Sequence, residues 1–360
     1  MAINQNNYHE QVNKHNQLKL REHLKSLPRF CSDFFRGVDE VTASRTQIAY
    51  AYDLGVFFEF IHDETMYGDG KEITQYTVDI LDKVQAVDIE EYMQYLKYYV
   101  KNDVEYTNNE RGIKRKMASL RSFYNYFYSK ERIKTNPPSI VKMPKLHEKE
   151  IVRLDINEVA ELLDKVESGE NLTEKQKAYH EKTKIRDLAL LSLLLGTGMR
   201  VSECVGIDIN DIDFNNFCVK VRRKGGYEAM IYFSDEVEEV LAEYLEQRLK
   251  IVPMTGHENA FFLSMQNKRL GVRSVENLVK KYSMLVTTVK HITPHKLRST
   301  YGTNLYRETG DIYLVADVLG HKDVNTTKKH YAAQEDERRR GARNVVKLRE
   351  NWKELLLWKK

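Results

Sequence analysis

The run Ile185 to Leu195 is nearly all apolar, and it ends abruptly at Gly196-Thr-Gly198. Eleven residues are far short of the roughly 20 that a membrane span needs, so such a run belongs in the core of a globular domain. Glycine accepts the φ > 0 conformation that ends helices, and the turn at Gly196-Thr-Gly198 therefore reads as a helix stop. The chain must leave the core at that one fixed point. It does so through Met199-Arg200, with Ser202 as an N-cap and Glu203 in the first turn of the next helix.

A chain of 360 residues has room for a second core of ordinary domain size. Upstream, Tyr50, Leu54, Phe57, Phe58 and Ile61 are spaced as one stripe of an amphipathic helix. A second stripe runs Ile89, Tyr92, Met93, Leu96, Val100, and a third Ile113, Met117, Leu120, Tyr124, Phe127. With a further helical stretch around Leu18 to Phe35, these predict a bundle of four or five helices. Asn136-Pro137-Pro138 ends it, and the lysine- and proline-bearing stretch to Lys149 has linker character, which places a domain boundary near residue 145.

Beyond the boundary, a short helix is expected after Asp155, through Val159, Leu162 and Leu163, and then a polar loop or solvated turn over residues 167–184. Phe217 to Val221 and Met230 to Phe233 alternate as strands around the basic turn Arg222-Arg223-Lys224-Gly-Gly226, a β-hairpin. Helices are predicted over 237–249, 275–285, 295–306, 312–319 and about 344–358. The fold class expected is mainly α with a small antiparallel β-sheet, in two domains, 1–145 and 146–360.

Composition adds little about partners. A net charge of +4 with a pI near 8.6 is too mild to prove a polyanionic ligand, so the distribution of charge has to decide. On the third stripe's helix, Arg111, Lys114, Arg115, Arg121, Ser122 and Asn125 fall away from the apolar face. Such a face is ordinarily a solvated one, and it also suits a phosphate backbone. Cys31, Cys204 and Cys218 are scattered and odd in number, neither a disulfide framework nor a cysteine zinc site. The N-terminus lacks the basic flank and apolar core of a secretion signal, so a cytoplasmic protein is expected.

Four short motifs carry chemistry. Arg200, anchored where the chain leaves the core, can present its guanidinium fork to a phosphate with Glu203 orienting it, or can rest in a structural ion pair. In Thr293-Pro294-His295-Lys296-Leu297-Arg298 the proline suits a first helical turn, and His295 and Arg298 are i, i+3 neighbours. A metal site at His291 and His295 is disfavoured, because Pro294 interrupts any common face. Lys224 sits in the hairpin turn. Gly320-His321 is followed ten residues later by His330-Tyr331. Two arginines, two histidines, a lysine and a tyrosine are what metal-free attack on a phosphodiester needs. The arginines neutralise charge on the non-bridging oxygens, an imidazole assists proton transfer, and the phenol oxygen forms a covalent intermediate.

On these residues the chain resembles the tyrosine recombinase family, the integrase and Xer group. The matching positions are Arg200 within Gly-Thr-Gly-Met-Arg-Val-Ser-Glu, Lys224, His295 and Arg298 within His-Lys-Leu-Arg, His321 within Leu-Gly-His, and Tyr331. The bundle, with Leu120-Arg-Ser-Phe-Tyr-Asn-Tyr and Asn136-Pro, looks like the family's core-binding domain. The resemblance implies a catalytic second domain and a C-shaped clamp on double-stranded DNA carrying paired recombination sites. It implies a 3′-phosphotyrosine intermediate, no cofactor, and no need for metal or ATP. Arg111, Lys114, Arg115, Arg121, Arg222 and Arg223 become candidate DNA-binding residues.

The amphipathic stretch Val345, Val346, Leu348, Trp352, Leu355, Leu356 comes after the basic segment Arg338 to Arg343. It can pack on its own domain, or, as in relatives, serve as an exchange helix donated to a neighbour, building a homotetramer on DNA. The chain begins almost directly with the bundle, which leaves no room for an arm-site domain and leans to a simple Xer-like recombinase acting in chromosome dimer resolution, with a DNA translocase as a conceivable partner. A mobile-element integrase, a type IB topoisomerase and a non-catalytic DNA-binding factor are the competing readings.

Overall fold

The computed structural model describes residues 8–147, 152–223, 226–321 and 323–324. The chain divides into two units, Met1–Lys149 and Glu150–Lys360. Among the described residues no helix is long and apolar enough to cross a membrane.

The first unit comprises α1 (Tyr8–Leu24), α2 (Cys31–Val38), α3 (Ser44–Glu64), α4 (Ile80–Lys83), α5 (Ala86–Tyr95), β1 (Tyr98–Lys101), β2 (Val104–Thr107), α6 (Glu110–Ser129) and α7 (Pro137–Ile140). Its core is aromatic. Phe123 of α6 packs edge-on against Phe34 of α2 and Phe127 of its own helix, with ring centroids 5.2 and 5.1 Å apart, and also meets Phe58 of α3. Edge-to-face pairs of this kind fill the interior without the repulsion of stacked faces.

Two readings change here. The stretch Leu18 to Phe35 is two helices, because Pro28 lies between α1 and α2 and its ring cannot continue the first. Val100 is not the end of a helical stripe: α5 stops at Tyr95, and Val100 lies in a hairpin with a two-residue turn. The turn is Asn102-Asp103, both left-handed at φ 50° and 58°, and it pairs Lys101 with Val104. Asparagine and aspartate tolerate that conformation, which is the hairpin signal that the apolar spacing masked. Tyr99 and Tyr106 then stack at 5.2 Å across the strands.

The second unit comprises α8 (Ile156–Ser168), α9 (Glu174–Thr197), α10 (Val201–Cys204), β3 (Ile212–Asp213), β4 (Cys218–Arg222), β5 (Glu228–Tyr232), α11 (Asp235–Leu249), α12 (Val272–Val286), α13 (Pro294–Thr309) and α14 (Ile312–Leu319). The three strands form an antiparallel sheet in the order β3-β4-β5, with Lys220 opposite Met230 and Arg222 opposite Glu228. The fold class is therefore mainly α with small antiparallel sheets. The polar stretch 167–184 is mostly the first turns of α9, which is capped by Thr173, whose hydroxyl accepts from the Gln176 N–H at 3.3 Å. Leu190, Leu191, Leu193 and Leu194 of α9 are fully buried, as the apolar run requires.

One buried polar cluster braces α9. Asp187, 1% exposed, accepts from Arg186 (Nε at 3.0 Å, Nη2 at 2.6 Å), from the Thr183 hydroxyl at 3.0 Å and from the Tyr282 hydroxyl of α12 at 3.1 Å. The Lys281 ammonium lies 3.8 Å away. Burial, and then the neighbouring carboxylate, push the Tyr282 phenol up, while burial pulls Lys281 down. The sequence signal was the Arg186-Asp187 pair interrupting the start of an otherwise apolar run: buried charges occur where they are paired.

Candidate active site

The site is built where α14 ends. Gly320 is left-handed (φ 62°, ψ 47°), the His321 N–H donates to the Ala316 carbonyl at 2.8 Å, and the Gly320 N–H donates to the Asp317 carbonyl at 2.8 Å. This Schellman pair satisfies two of the carbonyls that a helix end exposes. The next three carbonyls are each taken by a different arginine. Val318 accepts from Arg223 Nη2 at 3.1 Å, Leu319 from Arg298 Nη2, and Gly320 from Arg200 Nη2 at 3.2 Å. Cations are favoured at this end of a helix, where the backbone dipoles place partial negative charge.

Two of these guanidiniums, those of Arg298 and Arg200, are fixed at a second point. Arg298, buried within α13, also donates from Nη1 to the Gly198 carbonyl at 2.7 Å. Gly198 closes α9 at φ 62°, and a Cβ there would lie 2.4 Å from the Tyr301 ring and 3.0 Å from Leu319, so only glycine fits. Arg200, one-third exposed, donates from Nη1 to Glu203 Oε1 at 2.8 Å, and its backbone N–H donates to Glu203 Oε2 at 2.8 Å. Glu203 thus orients Arg200 and closes the first turn of α10. The N-cap is Arg200 itself rather than Ser202, which lies inside the helix.

His295 stands exposed in the first turn of α13, one turn before Arg298, and Pro294 holds that turn. His321 is half-buried directly beyond Gly320. The fold therefore draws Arg200, Arg298, Arg223 and His321 to one helix end, with His295 on the helix that supplies Arg298. Lys224, Tyr331 and the predicted exchange helix lie outside the described residues.

The basic face of α6 resolves into different tasks. Arg111 and Lys114 are exposed. Arg115 makes a two-pronged ion pair with Asp53 of α3, at 2.5 and 2.7 Å, while half of its side chain stays exposed. Asp53 also accepts from Ser119 at 2.7 Å and from the buried Lys116 at 3.3 Å. Burial pulls the Lys116 ammonium below the usual lysine value, against Asp53, which acts to keep it charged. Arg121 is turned to the chain itself, donating to the Pro138 and Val141 carbonyls at 2.7 Å each and so fastening α7 to the bundle. Arg222 is exposed at the end of β4.

The model of the phage integrase family matches residues 152–338, more than half of the chain. The chain belongs to that family. All six of the residues Arg200, Lys224, His295, Arg298, His321 and Tyr331 fall within the matched stretch. Among similar proteins, the tyrosine recombinase XerC of Caldanaerobacter subterraneus subsp. tengcongensis is 33% identical over 329 residues, which cover 88% of this chain and 86% of that one. The tyrosine recombinase XerS of Streptococcus uberis is 29% identical over 349 residues, covering 89% and 96%. The chain is thus a tyrosine recombinase of Xer type, an enzyme of site-specific recombination. The fold agrees. A crystal structure of the XerH site-specific recombinase bound to palindromic difH substrate, a post-cleavage complex, matches the recombinase with a TM-score of 0.61 at 17% identity, covering 87% of this chain and 89% of that one.

Proposed function

We propose that the recombinase breaks and rejoins duplex DNA at paired sites through Tyr331, in the service of chromosome dimer resolution. The Tyr331 oxygen bonds to the scissile phosphorus as the P–O5′ bond breaks, leaving a 3′-phosphotyrosine and a free 5′-hydroxyl. Arg200 and Arg298 hold the non-bridging oxygens, His295 and His321 hydrogen-bond them or carry the phenol's proton away, and Lys224 gives a proton to the departing 5′ oxygen. The energy of the phosphodiester stays in the protein–DNA ester, so rejoining reverses the same step. The observation that carries this reading is the convergence of Arg200 and Arg298 on adjacent carbonyls at the end of α14, next to His321. Two guanidiniums fixed by backbone and by Glu203 form a preorganised anion clamp, which costs no rearrangement when charge develops on phosphorus.

The acid has its own test. Lys224→Ala should slow cleavage by about 100-fold or more on a normal strand, the range general acids contribute. A strand with sulfur in place of the 5′ bridging oxygen should restore the rate, because a thiolate leaves without a proton. No restoration would move the acid role elsewhere.

Assembly is proposed to run through the exchange helix at about 344–358. Truncation after Arg343 should abolish cooperative filling of paired sites in a gel-shift titration and leave weak binding of single protomers. Retained cooperativity would place the protomer contact elsewhere. Exposed Arg111, Lys114, Arg115 and Arg222 are proposed as contacts to the phosphate backbone, which position the enzyme without reading sequence.

A further inference from the structure

Arg223 stands beside Lys224 in a basic turn, where a solvent-facing arginine would meet DNA, yet its guanidinium is directed into the protein. Nη2 donates to the Val318 carbonyl at 3.1 Å, and Nε is buried without a partner among the described residues. Burying an unpaired donor costs free energy that a surface contact does not incur. The packing against Gly320 is equally specific. A Cβ at Gly320 would lie 1.9 Å from Nη1 and 2.5 Å from Cζ of Arg223, so the guanidinium occupies the space that any other residue's side chain would take. The backbone of Arg223 is also the base of the turn: its N–H donates to the Tyr227 carbonyl at 2.9 Å, and its carbonyl accepts from the Gly226 N–H at 3.0 Å. One residue therefore closes the β4–β5 turn and bolts it to the helix end that Arg200 and Arg298 also hold.

We propose that Arg223 is a positioning residue for the leaving-group step. It fastens the base of the turn to the end of α14, and the acid role assigned to the next residue in the chain depends on that footing. This rests on the assignment of Lys224 as the acid. In this role Arg223 acts through its neighbour and not on the phosphate or the leaving oxygen.

The test compares Arg223→Ala, Lys224→Ala and the parent enzyme in single-turnover cleavage at saturating protein, on strands with oxygen or sulfur at the 5′ bridging position. Arg223→Ala should be about 10- to 100-fold slow on oxygen and within about 3-fold of the parent on sulfur, the pattern of a misplaced acid. Arg223→Lys, which keeps the charge but not the planar fork, should show the same pattern, and it serves where the alanine variant folds poorly. If Lys224→Ala is rescued by sulfur and neither Arg223 variant is, Arg223 acts on the fold or the phosphate and the proposal fails. If no variant is rescued, the acid assignment fails and the proposal with it. If only the Arg223 variants are rescued, Arg223 itself serves the leaving oxygen and positioning is wrong.

Discussion

Tyr331→Phe should leave no protein–DNA adduct at all. The substitution removes one oxygen and keeps the ring, so a loss of reaction cannot be assigned to lost packing. Without that oxygen nothing in the clamp can take its place as a covalent partner: guanidiniums are not nucleophiles, and the histidines are assigned to proton transfer and hydrogen bonding. The expected effect is a fall below detection, at least about 10⁴-fold, while binding to the site stays close to that of the parent. A duplex pre-nicked near the cleavage point traps the intermediate, because the short 5′ fragment diffuses away and cannot be rejoined. Denaturing electrophoresis then reads the adduct directly. An adduct that persists in the phenylalanine variant would mean that another residue attacks phosphorus.

The second large effect concerns stability. Asp187→Ala should unfold the second unit at a much lower temperature, because it removes one acceptor from four donors. Arg186 and Lys281 would remain mostly buried as positive charges, and the Thr183 and Tyr282 hydroxyls would lose their acceptor. Breaking a buried ion pair from one side costs about 3 to 5 kcal/mol, more than the pair contributes when intact. In a unit of this size, that corresponds to a fall in melting temperature of roughly 10 °C. Asp187→Asn should lose less, since the amide oxygen still accepts from the hydroxyls. Calorimetry of the three proteins checks the order, and equal melting of Asp187→Ala and the parent would show that the cluster does not brace α9.

Much of this architecture was legible in the sequence because the strongest signals there are local. The apolar run ending at Gly198, the basic hairpin, Pro294 at the start of α13 and Gly320 at the end of α14 all depend on neighbours within one or two turns. The hairpin at Asn102-Asp103 was hidden for a related reason. Helical spacing of apolar residues continued by chance into a strand, and the turn chemistry that outweighed it was only two residues long.

The described basic residues could be picked out in the sequence by type, but not by the task each one performs in the fold. Arg115, Arg121 and Arg223 look alike in a sequence: basic residues on a face or a turn. What separates them is whether the nearest acceptor is a side-chain carboxylate, as for Arg115, or a main-chain carbonyl, as for Arg121 and Arg223, and those acceptors lie 62, 17 and 95 residues away along the chain. No local pattern encodes such distances. The Ser202 cap failed on a smaller scale, because Arg200 and Glu203 already closed that helix start between them.

The acceptors at the end of α14 are main-chain carbonyls, and every amino acid has one. Exchanging Val318 or Leu319 for another helix-compatible residue therefore leaves the acceptor in place. Inserting or deleting one residue inside α14 is another matter, because it turns the helix end by about 100° and shifts it by about 1.5 Å. All three arginines would lose their acceptors at the end of α14 at once. Over evolutionary time, the clamp tolerates spelling changes in α14 but not changes in its length, and natural variation in this helix should be rich in substitutions and poor in gaps.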